Sequence, residues 1–178
     1  MTTEELCALA HEIGFEQAGK LNPATIVLKE EVREMCASGK CAMYDKRWSC
    51  PPGCGTLSEC RELLKGYTYG VLVQSIGALE DSFDIEIMME TEATHKKRFY
   101  DMRQVLRGQG LTVLAAGAGC CTVCEECTYP HARCRFPEQR MSSMEAMGML
   151  VAEVCKANSL PYFYGENTIA YTSCFLLR

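Results

Sequence analysis

The hydrophobic positions change their period several times along the chain. Near the N-terminus and through a charged middle stretch, apolar residues recur at the spacing of helices with one buried face. Between and after these stretches lie short runs rich in Val, Ile, Leu and Tyr, which are typical of buried strands. The pattern predicts helices at Thr3–Ile13, Thr25–Cys36, Ser58–Lys65 and Asp84–Arg107, and from Ser142 or Ser143 to about Asn158. It predicts strands at Gln17–Leu21, Tyr69–Ile76, Leu111–Ala116 and Thr168–Leu177.

Strands and helices in this order predict an α/β fold: a single domain over residues 1–178, with a small central sheet flanked by helices. No internal repeat and no linker divides the chain. One cysteine-rich loop directly follows the predicted strand Leu111–Ala116 and precedes a predicted helix. Because open α/β sheets bind ligands at the carboxyl ends of their strands, we expect a binding site at this loop.

The composition is that of a globular protein, with 48% apolar and 23% charged residues among 178. The 18 basic and 23 acidic side chains give a net charge of −5, which disfavours binding to the phosphates of nucleic acids. The chain opens without a basic or apolar leader segment, and no apolar run is long enough to span a membrane. We therefore expect a cytoplasmic protein with neither nucleic acid nor membrane as a partner.

Cysteine departs most from average usage, with 13 residues. In a reducing compartment, clustered thiols indicate metal binding or redox chemistry rather than disulfides. Most of the cysteines fall into two groups. The first is Cys36, Cys41, Cys50, Cys54 and Cys60, and the second is Cys120, Cys121, Cys124, Cys127 and Cys134. Because each group holds at least four thiols, the sequence predicts two metal centres, one in each of two cysteine-rich metal-binding loops.

The second group contains the more specific motif. Cys121, Cys124 and Cys127 form a C-x2-C-x2-C triplet, and Cys134 follows after six residues. A loop with a thiol at every third position can ligate successive corners of a cubane cluster, as in bacterial ferredoxins. Structural zinc more often takes two C-x2-C pairs separated by a longer insert. The spacing therefore favours a [4Fe-4S] cluster bound by these four cysteines, with zinc as the alternative.

The first group has irregular spacing but lies in a stiff loop. Pro51 and Pro52 follow Cys50, and glycines flank Cys54, so that backbone amides can approach sulfur atoms closely. We expect this loop to hold a second [4Fe-4S] cluster, with the ligands Cys36, Cys41, Cys50 and Cys54. Cys60 is the alternative fourth ligand. Cys54 is preferred because the constrained loop keeps it close to Cys50.

The other candidate side chains give weaker signals. His11 and His95 fall on predicted helices and are expected at the surface. His131 lies within the second loop, where it could contact a metal or solvent. Trp48, two positions before Cys50, could shield the first site from water or simply be buried. None of these residues forms a catalytic constellation with its neighbours in the sequence.

Three longer stretches resemble a known family. They are Cys36-x4-Cys41-x2-Tyr44-x3-Trp48-x-Cys50-Pro-Pro-x-Cys54-Gly, then Cys121-x2-Cys124-x2-Cys127-Thr-Tyr-Pro with Cys134-Arg-Phe-Pro and Ser143-Met-Glu-Ala146, and the ending Tyr164-Gly-x-Asn-Thr-Ile-x-Tyr-Thr-Ser-Cys174. The family consists of small cysteine-rich proteins described as predicted metal-binding proteins, a domain of unknown function found largely in anaerobic bacteria and archaea. The resemblance covers nearly the whole chain and implies that both loops bind metal.

Some positions leave the ligand sets open. Asp45 stands where the resemblance leads us to expect a glycine, so the turn there can differ. Cys120 adds a thiol beside the triplet, which leaves the ligand register open by one position. Cys174 belongs to the ending that resembles the family, and this makes it a further candidate near a cluster. Cys7 and Cys155 fit the packing of helices.

Together these features predict an iron–sulfur protein that binds two [4Fe-4S] clusters and transfers electrons at low potential to a redox partner protein. Two four-thiolate clusters would take the net charge from −5 to about −9, which favours docking onto a basic face of the partner. Two alternatives stay open. A cluster-dependent enzyme would leave one iron open for Lewis acid or sulfur-transfer chemistry. A structural zinc-binding interaction protein would use metal only to stabilise its loops.

Overall fold

Four antiparallel strands form one sheet at the centre of the molecule, whose computed structural model describes residues 1–178. The strands are β1 (Gln17–Leu21), β2 (Tyr69–Ala78), β3 (Val113–Ala116) and β4 (Thr168–Leu177), in the spatial order β1-β2-β4-β3. The helices are α1 (Thr3–Ile13), α2 (Glu30–Ala37), α3 (Leu57–Leu64), α4 (Ile85–Gly108) and α5 (Val151–Ala157). The predicted α/β class, with a small central sheet flanked by helices, is confirmed.

Local capping signals explain why some elements have the bounds that the sequence predicts. The Thr2 hydroxyl accepts a hydrogen bond from the Glu5 amide, and the Glu5 carboxylate accepts one from the Thr2 amide, which closes a capping box at the start of α1. Gly14 ends α1 with φ of 110°, a left-handed conformation that favours glycine. Thr56 and Glu59 make the same box at the start of α3, where the first cysteine loop ends.

Both faces of the sheet are covered. Val71 and Phe175 face α1 and α4, and Leu72 and Leu176 face the opposite layer, which contains α3 and α5. Neighbouring residues of β2 and β4 therefore point into two different apolar cores, which is why these strands read as continuous apolar runs rather than alternating ones.

The second cysteine loop leaves the sheet at the end of β3, opposite the interior of β4. The four residues of β3 pair with β4 only from Val113 opposite Leu177 to Ala116 opposite Cys174. Gly117 then donates a hydrogen bond to the Ser142 carbonyl at 2.9 Å, so residues 118–142 depart from and return to one point of the sheet edge. Because all strand pairings are antiparallel, the rule for the carboxyl ends of parallel strands does not apply, and the end of the short strand β3 positions this loop instead.

The helix predicted over Thr25–Cys36 is shorter than expected. Pro23–Thr25 forms a 3-10 turn that Asn22 caps, and α2 begins only at Glu30. Between them Leu28 makes an antiparallel bridge with Met149. This tertiary contact holds the intervening backbone in an extended conformation, and the helical spacing of the sequence does not report it.

The helix predicted from Ser142 or Ser143 to Asn158 is largely wrong. Only Val151–Ala157 is helical, and the preceding segment is a series of turns. Gly148 has φ of 91° and its carbonyl accepts a hydrogen bond from the Lys29 amide at 2.8 Å, which no helical residue could do in this position. The methionines at 144, 147 and 149 still lie in the core, so the apolar spacing reflected burial on one side rather than a helix.

Among all 178 residues, no helix is both long and apolar enough to cross a membrane.

Candidate metal centre

The two cysteine loops lie against each other. The Arg47 guanidinium donates to the Cys121 carbonyl at 3.0 Å, and the Cys121 amide donates to the buried Ser49 hydroxyl at 3.2 Å. The Trp48 indole donates to the Ala132 carbonyl at 2.9 Å. Hydrogen bonds between residues more than 70 positions apart therefore join the two groups of thiols into one region of the molecule, a juxtaposition that the sequence does not predict.

The four predicted ligands of the second group line one cavity. The cavity is narrow, with a volume of about 20 Å³, and Cys121, Cys124, Cys127 and Cys134 all contribute to its wall. Its remaining wall consists of Arg47, Trp48, Ser49, Val123, Phe136 and Arg140. Cys120 does not line it. Trp48, which could shield the first site or simply be buried, is half-buried and lines the cavity of the second group, because the two loops meet there.

Contacts within the second loop and with the first loop fix the conformation of the second loop. Thr128 donates its hydroxyl to the Arg133 carbonyl at 2.9 Å, and Arg135 donates to the Glu126 carbonyl at 2.8 Å. The ring of Tyr129 packs edge-on against Trp48 with centroids 4.9 Å apart, and its hydroxyl donates to Asp45 at 2.6 Å. The triplet is thus fixed both within its own loop and against the first one.

The first group is organised around Cys54 and the half-buried Arg33. One Nη of Arg33 lies 3.2 Å from the Cys54 sulfur and 2.7 Å from the Gly55 carbonyl. The Arg33 Nε is buried and has no hydrogen-bond partner. Burial raises the pKa of the Cys54 thiol, and the charge of Arg33 opposes this effect. A buried donor without an acceptor is unfavourable, and thiolates around a metal would supply an anionic acceptor for this one.

Neighbouring thiols resist deprotonation together in the first group. Burial raises the pKa of Cys50 to about 11, and the thiols of Cys120, Cys41 and Cys54 add to this increase. The pKa of Cys36 is raised by burial first and then by Cys41. These effects link Cys36 and Cys50 to Cys41 and Cys54, and they link Cys50 to Cys120 of the second loop.

Cys60 lies deeper than the other thiols of its group. It is the fourth residue of α3, only 2% exposed, and packs in the apolar core beneath the sheet. Burial raises the pKa of its thiol, and its charge would in turn raise the pKa of Cys54. Cys60 is therefore a neighbour of Cys54 that faces the core from a helix rather than from the loop.

Three cysteines lie apart from both groups. Cys174 is fully buried on β4, and burial raises the pKa of its thiol to about 12. Cys155 lies beside it in the same core, with a pKa raised by burial to about 11. Cys7 is partly buried against the core beneath α1. The packing expected for Cys7 and Cys155 is confirmed, and Cys174 shares it.

His95 was expected at the surface, and this was wrong. Its side chain is completely buried, with its ring nitrogens 3.0 Å from the Ser75 hydroxyl and 2.6 Å from the Ser173 hydroxyl. Burial lowers the pKa of His95 to about 3, so the ring is neutral in the folded protein. The signal was present: His95, Phe99 and Met102 recur on the buried face of α4 at helical spacing.

The other two histidines lie at the surface. His11 is exposed and its Nδ1 is 3.1 Å from the Phe15 carbonyl, as expected for a residue near a helix end. His131 is exposed and does not line the cavity of the second group.

The donor set of the region is sulfur. No three Cys, His, Asp or Glu side chains converge closely enough to hold one metal ion. All thirteen cysteines are free thiols. Four of them line one cavity, and those of the first group include Cys54, which lies beside the incompletely paired Arg33. These residues fit a thiolate-ligated group that carries negative charge, because sulfur supplies the ligands and Arg33 supplies a compensating cation.

Comparison with known proteins gives one match. Residues 19–177 match a family described as "Predicted metal-binding protein (DUF2284)". Neither a curated protein nor a solved structure shows significant similarity to the chain.

Proposed function

The chain belongs to this DUF2284 family of predicted metal-binding proteins, and we propose that it is an iron–sulfur protein that holds two [4Fe-4S] clusters and transfers electrons to a partner protein. Each cluster, when bound, would supply a carrier for one electron. The proposal treats residues 1–178 as one metal-binding unit in the cytoplasm, where thiols stay reduced.

We assign Cys121, Cys124, Cys127 and Cys134 to one cluster. The single observation that carries the proposal is that these four thiols, and not Cys120, line one cavity. The triplet spacing favours iron over zinc, because thiols at every third position reach different corners of a cluster. The flanking Trp48 and Phe136 would limit access of water, which influences the potential of a cluster.

We assign Cys36, Cys41, Cys50 and Cys54 to the other cluster. The mutual effect of these thiols on their pKa values supports the grouping, as does the Arg33 guanidinium 3.2 Å from the Cys54 sulfur. Cys60 is the alternative to Cys54, although it faces the apolar core. A cation beside thiolates stabilises negative charge, so Arg33 would make reduction of this cluster easier.

The contacts between the two loops suit electron transfer. Arg47 and Ser49 of the first loop bond to the backbone of Cys121 in the second, so the two sites would adjoin. An electron accepted at one site would then have a short path to the other. With both clusters the net charge would be about −9, which favours a redox partner with a basic docking face.

The direct test is metal and sulfide analysis of protein that is purified and reconstituted without oxygen. We expect about eight irons per chain and a broad visible absorption that bleaches on reduction. Cys124→Ser and Cys41→Ser should each remove about four irons, from different sites. Cys7→Ser is the matched control, because Cys7 lies away from both groups, and it should retain all of the iron.

The same metal analysis can also contradict the proposal. One zinc per site and no visible absorption in protein kept free of oxygen throughout would overturn the proposal in favour of a structural zinc protein. Zinc that is acquired during purification in air would not count, because iron–sulfur clusters are lost under oxidising conditions.

A further inference from the structure

A wide groove runs beside the second cysteine loop. It lies along α4, has a volume of about 710 Å³ and is open to solvent. Residues from α4 form one wall, and residues of the loop form the other. Those that the following argument uses are Lys96, Tyr100, Arg103, Arg107, Thr122 and Gln139.

Two arginines in this groove have no acidic partner. Arg103 donates to the carbonyls of Gln139 at 2.6 Å and Arg140 at 3.1 Å, and Arg107 donates to the Glu138 carbonyl at 2.7 Å. Neither guanidinium takes part in an ion pair. The lysines that line the groove differ in this respect, because Lys96 pairs with Glu92 and Lys97 with Asp101.

The positions of the two arginines are unfavourable by themselves. They are four residues apart on α4, where like charges repel across one helical turn. Burial lowers the pKa of Arg103, and the charge of Arg107 lowers it further. Arg103 is also only 6% exposed, yet its acceptors are neutral carbonyls. A nearly buried cation without a counter-charge is costly. Glu92 lines the groove but pairs with Lys96, and Glu138 acts on Arg103 from beyond ion-pair distance, which leaves room for an external anion to complete the site.

The groove adjoins the second cysteine group. Tyr100 lies between the groove and this cysteine group. The Arg103 guanidinium is 5.0 Å from the centroid of the Tyr100 ring, and the Tyr100 hydroxyl is 3.9 Å from the Cys121 sulfur. Thr122, the residue after Cys121, lines the groove. A negative charge at Cys121 would compensate Arg103 in part. Arg107 lies one turn farther along α4, toward the C-terminal end of the helix, and would stay uncompensated.

We propose that this groove binds a small anion that carries phosphate or carboxylate groups, held by Arg103 and Arg107 beside the second cysteine group. Guanidinium groups match the oxygens of both kinds of group. Lys96, Thr122 and Gln139 add polar contacts along the groove. The site goes beyond the electron-transfer function, and binding of the anion does not require that the clusters carry electrons.

Calorimetric titration of the metal-loaded protein with pyrophosphate, and separately with citrate, tests the site. We expect at least one of the two to bind at a single site, more weakly as salt is added. Arg107→Gln should weaken that binding about tenfold or more, because a charged hydrogen bond is lost. Arg107→Lys should recover part of it. Lys156→Gln, which removes an exposed charge from α5, is the matched control and should leave binding unchanged.

The choice of probes identifies the chemistry. Binding of pyrophosphate alone indicates a phosphate-bearing ligand, and binding of citrate alone indicates a carboxylate-bearing one. If neither probe binds, or if Arg107→Gln and Lys156→Gln weaken binding equally, the proposal is wrong. Because Arg107 is exposed, its variants should fold, and melting curves check this. Iron content measured on the same samples reports on the clusters separately, so a failure of either proposal can be told from a failure of the other.

Discussion

Replacement of His95 by glutamine should remove a specific part of the pH dependence of stability. The ring lies between Ser75 and Ser173 in the centre of the sheet and is completely buried. Arg98 and Lys96 add repulsion to the effect of burial, and the pKa falls from 6.5 to about 3. Glutamine retains an amide that can hydrogen-bond to a serine, but it cannot take up a proton.

The magnitude follows from the difference between the two pKa values. Above about pH 8 the ring is neutral in both the folded and the unfolded chain. As the pH falls through 6.5 the unfolded chain binds a proton that the folded protein does not bind until about pH 3, so the free energy of unfolding decreases. Between about pH 8 and about pH 5, His95 should account for a loss of about 2 kcal/mol.

Urea unfolding across this pH range measures the effect. The wild-type protein should lose about 2 kcal/mol relative to His95→Gln between about pH 8 and about pH 5, whatever the absolute stability of the variant. The difference between the two proteins cancels the contributions of carboxylates and thiols that both contain, in the metal-free and the metal-loaded state alike. Parallel curves for the two proteins would refute the reasoning, because they would mean that water and protons reach the ring.

Three further predictions concern the sites and the core. Cys54→Ser should lose about half of the bound iron and Cys60→Ala should keep it; the opposite pattern in iron analysis would make Cys60 the ligand. Arg33→Met should lower the midpoint potential of one cluster by about 60 mV in a redox titration, whereas Arg33→Lys should lower it less, and an unchanged potential would remove Arg33 from the site. Met149→Ala should cost about 2–5 kcal/mol in urea unfolding, because the side chain is fully buried. The control Met89→Ala, at a residue 65% exposed, should stay within about 0.5 kcal/mol, and equal losses would contradict the packing described.

Much of the fold could be predicted wherever local signals agreed. The capping box at Thr2 and the left-handed Gly14 fix both ends of α1 within the sequence of the helix itself. The prediction of secondary structure failed where a tertiary contact opposed the helical spacing of apolar residues. The methionines of residues 141–149 have a helical spacing, yet Gly148 and its hydrogen bond to Lys29 hold this segment in turns.

The candidate site shows the same division. The triplet of Cys121, Cys124 and Cys127 could be recognised because a short loop determines which of its thiols face one cavity. The position of Trp48 beside the second loop could not be predicted, because its hydrogen-bond partner Ala132 is 84 positions away in the sequence. Arg33 carries no motif, and only its unsatisfied Nε beside Cys54 marks it as part of the site.

The sequence by itself determined that there are two groups of thiols, their order along the chain and the helices and strands between them. These depend on interactions over a few residues, which the backbone geometry of a helix, a strand or a short loop fixes directly. Only the tertiary structure decided that the two groups adjoin, that His95 is buried and that Arg103 and Arg107 form the wall of a groove. Those facts depend on how distant segments pack, because the free energy of burial depends on which apolar surfaces meet and not on their distance in sequence.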